Sequence, residues 1–325
     1  MSRETRCVSV VIPVYNSAGT LRRAVDSVRR QTLRDLELLI VDDGSRDNSH
    51  ALACELAVMD RRISVIALPE NRGKSFAMNR AIETAAGRWI AVLDADDWYE
   101  AERLEVLIAT GQSRDVSMVE DNQTVQDAGA ERAIRTALPL ECGDRPLDRS
   151  GLVTGSDPYA EFNYGMLKPV VRTDFIRRTG LAYRENARLS EDFLYLVEFF
   201  AAGGTGILVA KPLYNWTQPF GEISRRWTTT GAGAWRYDFR SALAANEDVL
   251  RDLRGRQEHD LADLLSGRAR AFRNLHHLNE INRARATGEW LPRILGSVAR
   301  HPSIWPQLAR RALHAIWRTS ERPLS

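Results

Sequence analysis

The stretch VSVVIPV at residues 8–14 is an apolar run rich in β-branched residues, and it ends at Tyr15, Asn16 and Ser17. A short apolar run followed by turn-forming residues predicts a buried β-strand. Apolar residues then recur at helical spacing, with Asn16 or Ser17 as the predicted N-cap, at Leu21, Ala24, Val25 and Val28. The chain therefore begins with a strand followed by a helix.

Strand-like and helix-like segments continue to alternate through the first third of the chain. Apolar runs at residues 37–41, 63–67 and 89–93 predict three more strands, and residues 75–86 predict the helix between the last two. Strands this apolar are buried on both faces, as in a parallel sheet that is covered by helices. We therefore predict an α/β fold of the doubly wound type, with a mixed, mostly parallel sheet.

The remaining sequence is first irregular and then helical. Residues 112–170 are rich in turn formers, and we expect them to extend the sheet and to shape a second binding surface. A helix is predicted near 191–202, and two short strands near 206–210 and 213–217. From about residue 233 onward the pattern is helical, without strand signals. We place a domain boundary near 230, which separates residues 1–230 from a helical region at 231–325.

Composition limits the class of partner and the compartment. The 325 residues include 45 Lys and Arg against 43 Asp and Glu, and this net charge of +2 argues against nucleic acid as the main partner. Cys7, Cys54 and Cys142 lack metal-ligand spacing and predict free thiols in a reducing cytosol. Neither a signal peptide nor an apolar run of roughly 18 residues occurs. We expect a cytoplasmic protein that is either unattached or peripheral on a membrane.

Carboxylates cluster directly after the second and fourth predicted strands. These are Asp42 and Asp43, and then Asp94 and Asp96. Ligands of open α/β sheets bind outside the carboxyl ends of the strands, so both clusters are expected to face one crevice. Clustered acids repel each other unless a cation lies among them, and a divalent ion that bridges a diphosphate supplies one. The alternative is that these acids cap the helices that follow.

At this point the chain resembles the family-2 glycosyltransferases of the GT-A fold. The resemblance covers roughly residues 6–230, and it rests on VSVVIPVYN at 8–16, VDDGS at 41–45, ENRGKSFAMNRAI at 70–82, DADDW at 94–98 and SEDF at 190–193. It implies the GT-A fold, with a nucleotide-sugar-binding half at 1–111 and an acceptor-binding half at 112–230. It also implies an inverting, metal-dependent transferase.

The resemblance assigns donor-site roles residue by residue. Pro13 and Tyr15 would line the nucleotide pocket, and Asp42 or Asp43 would hydrogen-bond the uracil. The residues that would lie near the ribose and diphosphate are Asn71, Gly73 and Lys74. Asp94 would contact the ribose or metal-bound waters, and Asp96 would bind the metal, Mn²⁺ or Mg²⁺, directly.

Glu191 and Asp192 match the acidic pair of the family, which supplies the general base. An acceptor hydroxyl is a poor nucleophile, and a carboxylate within hydrogen-bond reach can take its proton. We expect Asp192 to be the base and Glu191 to be its neighbour or an acceptor ligand, although the pair alone does not distinguish the two. The alternative is that both residues favour the N-terminus of the helix that begins there.

The segment after the last predicted strand carries Arg225, Arg226 and Trp227. Processive members of the family have a Gln-x-x-Arg-Trp motif that binds the acceptor, and Ile223 stands in the Gln position here. This departure argues against a processive enzyme. Arg225 or Arg226 is then expected to reach the diphosphate, or to be a solvated pair.

A narrower similarity lies at residues 165–204. It resembles the glucosyltransferases that build succinoglycan-type bacterial exopolysaccharides. It implies a UDP-sugar donor, with glucose as the sugar, and a polyprenyl-diphosphate-linked oligosaccharide as acceptor at the cytoplasmic face of the inner membrane. The alternatives are another UDP-sugar (N-acetylglucosamine or galactose), or a non-catalytic nucleotide-sugar-binding component of an assembly complex. A dinucleotide-dependent oxidoreductase is disfavoured, because no Gly-x-Gly-x-x-Gly turn follows the first strand.

The C-terminal residues 290–325 contain six Arg, one Glu and three Trp. Such a segment suits a helix in the headgroup layer of an anionic bilayer, and helices that pack back on the larger domain would have a similar sequence. The adjacent His276 and His277 are not predicted to be a metal pair, because neighbouring helical residues point in different directions.

Overall fold

The computed structural model describes residues 6–127, 132–139, 143–156, 162–218 and 239–286. Its first half is a series of parallel strands joined by helices. The strands are β1 (Val8–Val14), β2 (Leu36–Asp42), β3 (Ile63–Ala67) and β4 (Trp89–Val92). The connecting helices are α1 (Leu21–Arg29), α2 (Ser49–Met59) and α3 (Lys74–Thr84). The predicted alternation of strands and helices is therefore confirmed, with bounds that differ by one or two residues.

The second half extends the same sheet. It adds β5 (Trp98–Tyr99), β6 (Met118–Asp127), β7 (Arg132–Thr136), β8 (Arg145–Leu147), β9 (Val170–Arg172) and β10 (Gly206–Gln218). The helices are α4 (Arg103–Ser113), α5 (Arg149–Gly155), α6 (Thr173–Thr179) and α7 (Glu191–Ala201), with a 3₁₀ turn at Tyr164–Met166. The expectation that residues 112–170 extend the sheet is confirmed.

The strand order is β3-β2-β1-β4-β9-β6-β10-β5, with β7 paired to β6 and β8 paired to β10. β1 to β4 are mutually parallel, and β9 runs antiparallel to both β4 and β6. The sheet is therefore mixed and mostly parallel in its first half, as predicted. Because the parallel strands end at one edge, the loops after β1, β2 and β4 lie side by side.

Alternate residues of β1 enter two separate cores. Val10 and Ile12 pack with α1, α2 and α4 on one face, whereas Val11 packs with α3, α6 and α7 on the other. This division follows from the alternation of side chains along a strand. The sheet is thus covered on both faces, which explains why its first strands are continuously apolar.

Two local predictions are wrong. β10 is one strand rather than two, with register shifts around Pro212, because proline has no N–H to donate to the ladder but is tolerated at such irregularities. In addition, neither Asn16 nor Ser17 caps α1, whose N-cap is Thr20 and has no side-chain cap bond. The N–H of Asn16 instead donates to the Ser45 hydroxyl in the loop after β2, and the N–H of Ser17 donates to the Ser49 hydroxyl at the start of α2.

Two further helices follow, α8 (Phe239–Gly255) and α9 (His259–Ala286). They form a hairpin that packs on the sheet domain, since Val249, Leu253 and Leu265 belong to the same core as α7. The predicted boundary near 230 and the segment 290–325 lie outside the described residues. Among the described helices, none is sufficiently long and apolar to cross a bilayer.

A buried ion pair fixes the middle of the sheet. Arg103 on α4 donates to Asp121 on β6 at 2.7 Å, and both side chains are at most 1% exposed. The same guanidinium lies 4.2 Å from the ring centroid of Tyr99 and donates to the carbonyl of Lys168 at 2.7 Å. Arg103 therefore ties α4, β6 and the segment before β9 together.

We expect Asp121→Ala to lower the free energy of unfolding by about 3–5 kcal/mol, because it leaves a buried guanidinium without its counter-charge. Urea denaturation measures this. Glu55→Ala is the control, because it removes the exposed Arg22–Glu55 pair, which is worth about 0–1 kcal/mol. Equal losses in the two variants would contradict the structural role of Arg103 and Asp121.

Candidate active site

The loop after β2 is fastened to the loop that leads into α3. The carboxylate of Asp43 accepts hydrogen bonds from the backbone N–H groups of Arg72 and Gly73, both at 2.7 Å. Burial raises the pKa of Asp43 although these two bonds oppose the shift. Gly44 has φ +67°, and a Cβ there would lie 2.6 Å from the carbonyl carbon of Glu70. Only glycine fits this close approach.

A cleft of about 430 Å³ opens between these loops. Asp42 and Asn71 line it together with Gly44, Ser45 and His50. The Oδ1 atom of Asp42 is buried and has no hydrogen-bond partner among the described residues. Asp42 therefore lines the cleft with one carboxylate oxygen whose hydrogen-bonding capacity is unused.

Two other predicted donor-site residues lie nearby. Pro13 lies in β1, in register with Val41 of β2, and Tyr15 follows the end of that strand. Neither residue lines the 430 Å³ cleft, but strand pairing holds both next to Asp42 and Asp43. Their predicted contact with a nucleotide remains a prediction.

Four charged groups meet next to this region and form what we call the Lys–Asp cluster: Lys74, Lys168, Asp94 and Asp192. The Nζ atom of Lys74 lies 2.9 Å from Asp94 Oδ1 and 2.9 Å from Asp192 Oδ2. The Nζ atom of Lys168 lies 2.8 Å from Asp94 Oδ2 and 2.6 Å from Asp192 Oδ2. Both lysines thus bridge the same two carboxylates.

The cluster assembles residues from four places in the chain. Asp94 follows β4, Lys74 is the first residue of α3, Lys168 precedes β9, and Asp192 lies in the first turn of α7. Glu191 is next to Asp192 and lies 3.8 Å from Lys74. The structure therefore brings the predicted acids after β4 together with the predicted acidic pair.

The cluster also sets the protonation of its acids. Burial alone would raise the pKa of Asp192, but Lys168 and Lys74 outweigh it and hold the pKa below the ordinary value. The same lysines lower the pKa of Asp94 against its burial. Glu191 behaves differently, because burial and the neighbouring Asp192 charge raise its pKa. Asp192 is therefore the more fully ionised member of the acidic pair.

The acids after Asp94 have separate environments. Asp97 is buried and accepts hydrogen bonds from the Tyr214 hydroxyl at 2.7 Å and the Thr217 N–H at 2.8 Å. Asp96 makes no such contact through its carboxylate, which forms neither a hydrogen bond nor an ion pair within the described residues. Burial and the charge of Asp94 raise the pKa of Asp96 to about 6.

Asp96 is the member of this group that fits a metal ion. A half-buried carboxylate beside other acids and without a counter-ion is what a hard cation stabilises. Among the described residues, no group of three or more His, Cys, Asp or Glu side chains is arranged to hold a metal ion. A cation at Asp96 would therefore take most of its oxygen ligands from a bound phosphate group and water.

The capping alternative fails for the acids after β4. Asp94, Asp96 and Asp97 are followed by β5, and the next helix, α4, begins only at Arg103. Glu191 and Asp192 do lie in the first turn of α7, but Asp192 binds the lysines rather than capping free amides. Arg226 lies outside the described residues, so its predicted contact stays a prediction.

Sequence reasoning missed Lys168 as a site residue. The chain has 45 Lys and Arg, of which only residues 74, 168 and 211 are Lys. An ammonium is a compact point charge that can bridge two carboxylates, whereas a guanidinium is larger and planar. Two of the three lysines prove to be in the Lys–Asp cluster. That scarcity was the signal that could have found Lys168.

The C-terminal hairpin of α8 and α9 contacts the start of α7, where the acidic pair lies. Arg268 on α9 is buried, donates to the Ser190 hydroxyl at 3.1 Å and lies 3.8 Å from the ring centroid of Phe193. Ser190 has φ +70° and immediately precedes Glu191. α9 therefore holds the turn that starts α7 and orients its first two acids.

Comparisons with known proteins assign part of the chain to a family. Residues 9–136 match the family model of glycosyl transferase family 2. The succinoglycan biosynthesis protein ExoO of Rhizobium meliloti is 33% identical over 67% of this chain, and the match spans 62% of that protein. The chain thus covers less than two thirds of the length of this relative. An Escherichia coli protein, the UDP-Glc:α-D-GlcNAc-diphosphoundecaprenol β-1,3-glucosyltransferase WfgD, is 35% identical over 36% of this chain and 46% of its own length.

Solved structures support the fold. The S. aureus TarS 1–349 structure in complex with UDP-GlcNAc has a TM-score of 0.58 at 15% identity, over 91% of this chain and 92% of that chain. The mannosyltransferase PcManGT of Pyrobaculum calidifontis, in complex with GDP-Man and Mn²⁺, has a TM-score of 0.53 at 16% identity, over 96% of this chain and 80% of that chain. These likenesses concern the arrangement of strands and helices. Together with the family match, they show that the chain carries a glycosyl transferase family 2 domain at residues 9–136 and has a GT-A-like α/β fold.

Proposed function

We propose that the protein is an inverting glycosyltransferase that moves a hexose, glucose, from a UDP-sugar to a hydroxyl of a lipid-linked oligosaccharide. The observation that carries the proposal is the Lys–Asp cluster, in which the buried Lys168 and the partly exposed Lys74 both bridge Asp94, at the donor side, and Asp192, the candidate base. A protein that only binds a nucleotide sugar would not need a general base next to the positive charges that neutralise the diphosphate.

The donor half of the reaction uses the loops after β1, β2 and β4. Asp42 and Asp43, with Pro13 and Tyr15, are proposed to hold the nucleotide, and Asn71 and Gly73 to lie near the ribose and diphosphate. Lys74 and Lys168 supply two positive charges in a water-poor site, where charges that are already in place stabilise a departing diphosphate most effectively.

The transfer step uses Asp192. Both lysines bind its Oδ2 atom, and Oδ1 has no hydrogen-bond partner among the described residues. The acceptor hydroxyl oxygen bonds to the anomeric carbon while the bond from that carbon to the phosphate oxygen breaks. The electron pair leaves with UDP, and the hydroxyl proton passes to Asp192. Attack opposite the leaving group inverts the anomeric configuration.

A divalent cation, Mn²⁺ or Mg²⁺, is proposed to bind at Asp96, with Asp94 contacting the ribose or metal-bound waters. The fit rests on the Asp96 carboxylate, which lacks any partner in the described part of the chain. When bound, the cation would supply positive charge to the departing diphosphate.

The sugar and the acceptor rest on the relatives. The printed names of two of them refer to succinoglycan biosynthesis and to a glucosyltransferase that acts on a diphosphoundecaprenol-linked sugar. We propose that the enzyme uses a lipid-linked acceptor of this kind at the cytoplasmic face of the inner membrane, as a peripheral protein that takes part in exopolysaccharide assembly.

Donor screening tests the proposed function directly. UDP release is measured with UDP-glucose, UDP-galactose, UDP-N-acetylglucosamine and a GDP-sugar, each with Mn²⁺ or Mg²⁺. We expect the highest rate with UDP-glucose and a loss of cation-dependent release in Asp96→Ala. The control, Asp263→Ala, changes an exposed acid of α9 and should leave release unchanged. No release from any donor would exclude a transferase, and full activity of Asp96→Ala would exclude the metal assignment.

The base assignment is tested with two isosteric changes. Asp192→Asn should retain donor binding but lower transfer by about 10²–10⁴-fold, whereas Glu191→Gln should lower it less. Calorimetry with UDP measures binding, and initial rates measure transfer. Asp174→Asn is the matched control, since Asp174 also lies in the first turn of a helix, α6, but on the surface. The reverse order of the two losses would assign the base to Glu191, and a loss of UDP binding in Asp192→Asn would remove its role as base.

Lys168→Met should lower kcat on the order of 10²-fold, because one of the charges that face the leaving group is removed. It should also move the acid limb of the kcat/KM profile to higher pH, since Lys168 lowers the pKa of Asp192 and its loss lets that pKa rise. Lys211→Met is the control, because Lys211 is 59% exposed and pairs only with Glu102 in the described structure. An unshifted acid limb in Lys168→Met would contradict the proposed action of Lys168 on Asp192.

A further inference from the structure

The hairpin of α8 and α9 contains a groove of about 550 Å³ that is lined by four arginines. Arg251 and Arg254 come from α8, and Arg270 and Arg273 come from α9. Each pair is separated by three positions, which places both members on one face of their helix. The two helices therefore direct their basic faces into the same groove, which we call the arginine groove.

The positive charge of this groove is poorly compensated. Arg251 lies 3.3 Å from Asp248, whereas Arg254, Arg270 and Arg273 form no ion pair with any described residue. Among the described residues that line the groove, Glu247 is the single carboxylate. Since the whole chain has nearly equal numbers of basic and acidic residues, four arginines against Glu247 and Asp248 are a local excess of positive charge. All four arginines are exposed, so their guanidinium groups are accessible to an anion from solution.

The lining suits a phosphate group. A guanidinium is planar and presents several N–H donors that match phosphate oxygens in pairs. Ser266 adds a hydroxyl at the groove wall, and Leu250 and Ala269 provide apolar surface beside the arginines. We infer that the arginine groove binds a phosphate-bearing anion, either a soluble diphosphate or the headgroup of an anionic lipid.

This site is separate from the proposed donor site. Its lining residues occur neither in the cleft of Asp42 nor in the Lys–Asp cluster. The inference therefore does not depend on the proposed function, and changes in the groove should leave UDP release from the donor intact.

The test uses the full chain. The groove variant carries Arg254→Gln and Arg270→Gln. The charge-matched control carries Arg61→Gln and Arg114→Gln, which change two exposed arginines on the sheet domain. One arm measures co-sedimentation with phosphatidylglycerol vesicles and with neutral phosphatidylcholine vesicles, at two salt concentrations. The other arm measures binding of inorganic pyrophosphate by calorimetry. Glutamine keeps helix propensity close to that of arginine, and circular dichroism confirms that both variants fold.

We expect the groove variant to lose on the order of tenfold or more in affinity for one of these anions, and the control to lose much less. A selective loss on phosphatidylglycerol vesicles identifies a lipid headgroup, and a selective loss of pyrophosphate binding identifies a soluble diphosphate. Equal losses in the groove variant and the control would show only the effect of net charge and would overturn the inference. Absence of binding to both anions in the unmodified chain would also overturn it.

Discussion

Lys74 and Lys168, held between Asp94 and Asp192, impose the strongest constraint on this molecule. Removing a charge from water costs several kcal/mol unless a partner compensates it, so these four charges, each at most 24% exposed, depend on one another for compensation. They come from the end of β4, the start of α3, the segment before β9 and the start of α7. The sheet order, with β4 next to β9, brings these four places together.

A second buried charge supports the first. Arg103 holds the carbonyl of Lys168 while its guanidinium pairs with Asp121 on β6. The backbone of Lys168 is thereby tied to α4 and β6, while its ammonium contacts Asp94 and Asp192. The stability of the sheet centre and the placement of the charge that faces the donor thus depend on the same arginine, which explains why so polar a group is fully buried at this point.

The sequence predicted those parts of the structure that have local patterns. Apolar runs identified the first strands, and acids at strand ends identified Asp94 and Asp96 as neighbours of one crevice. Lys168 has no such pattern, because its partners lie 24 and 74 positions away in sequence and only the strand order brings them close. The prediction of two strands on either side of Pro212 is wrong for the opposite reason. Proline usually interrupts a strand, but here a register shift accommodates it within β10.

The hairpin of α8 and α9 adds a physical link between the C-terminal region and the acids of α7. Arg268 contacts Ser190 and Phe193, on either side of Glu191 and Asp192. Ser190 is held at φ +70°, a conformation that costs a non-glycine residue on the order of 1–3 kcal/mol and persists only where surrounding contacts enforce it. The arginine of α9 is one of those contacts. Through Ser190 and Phe193, α9 thus contributes to the position of the acidic pair at the start of α7.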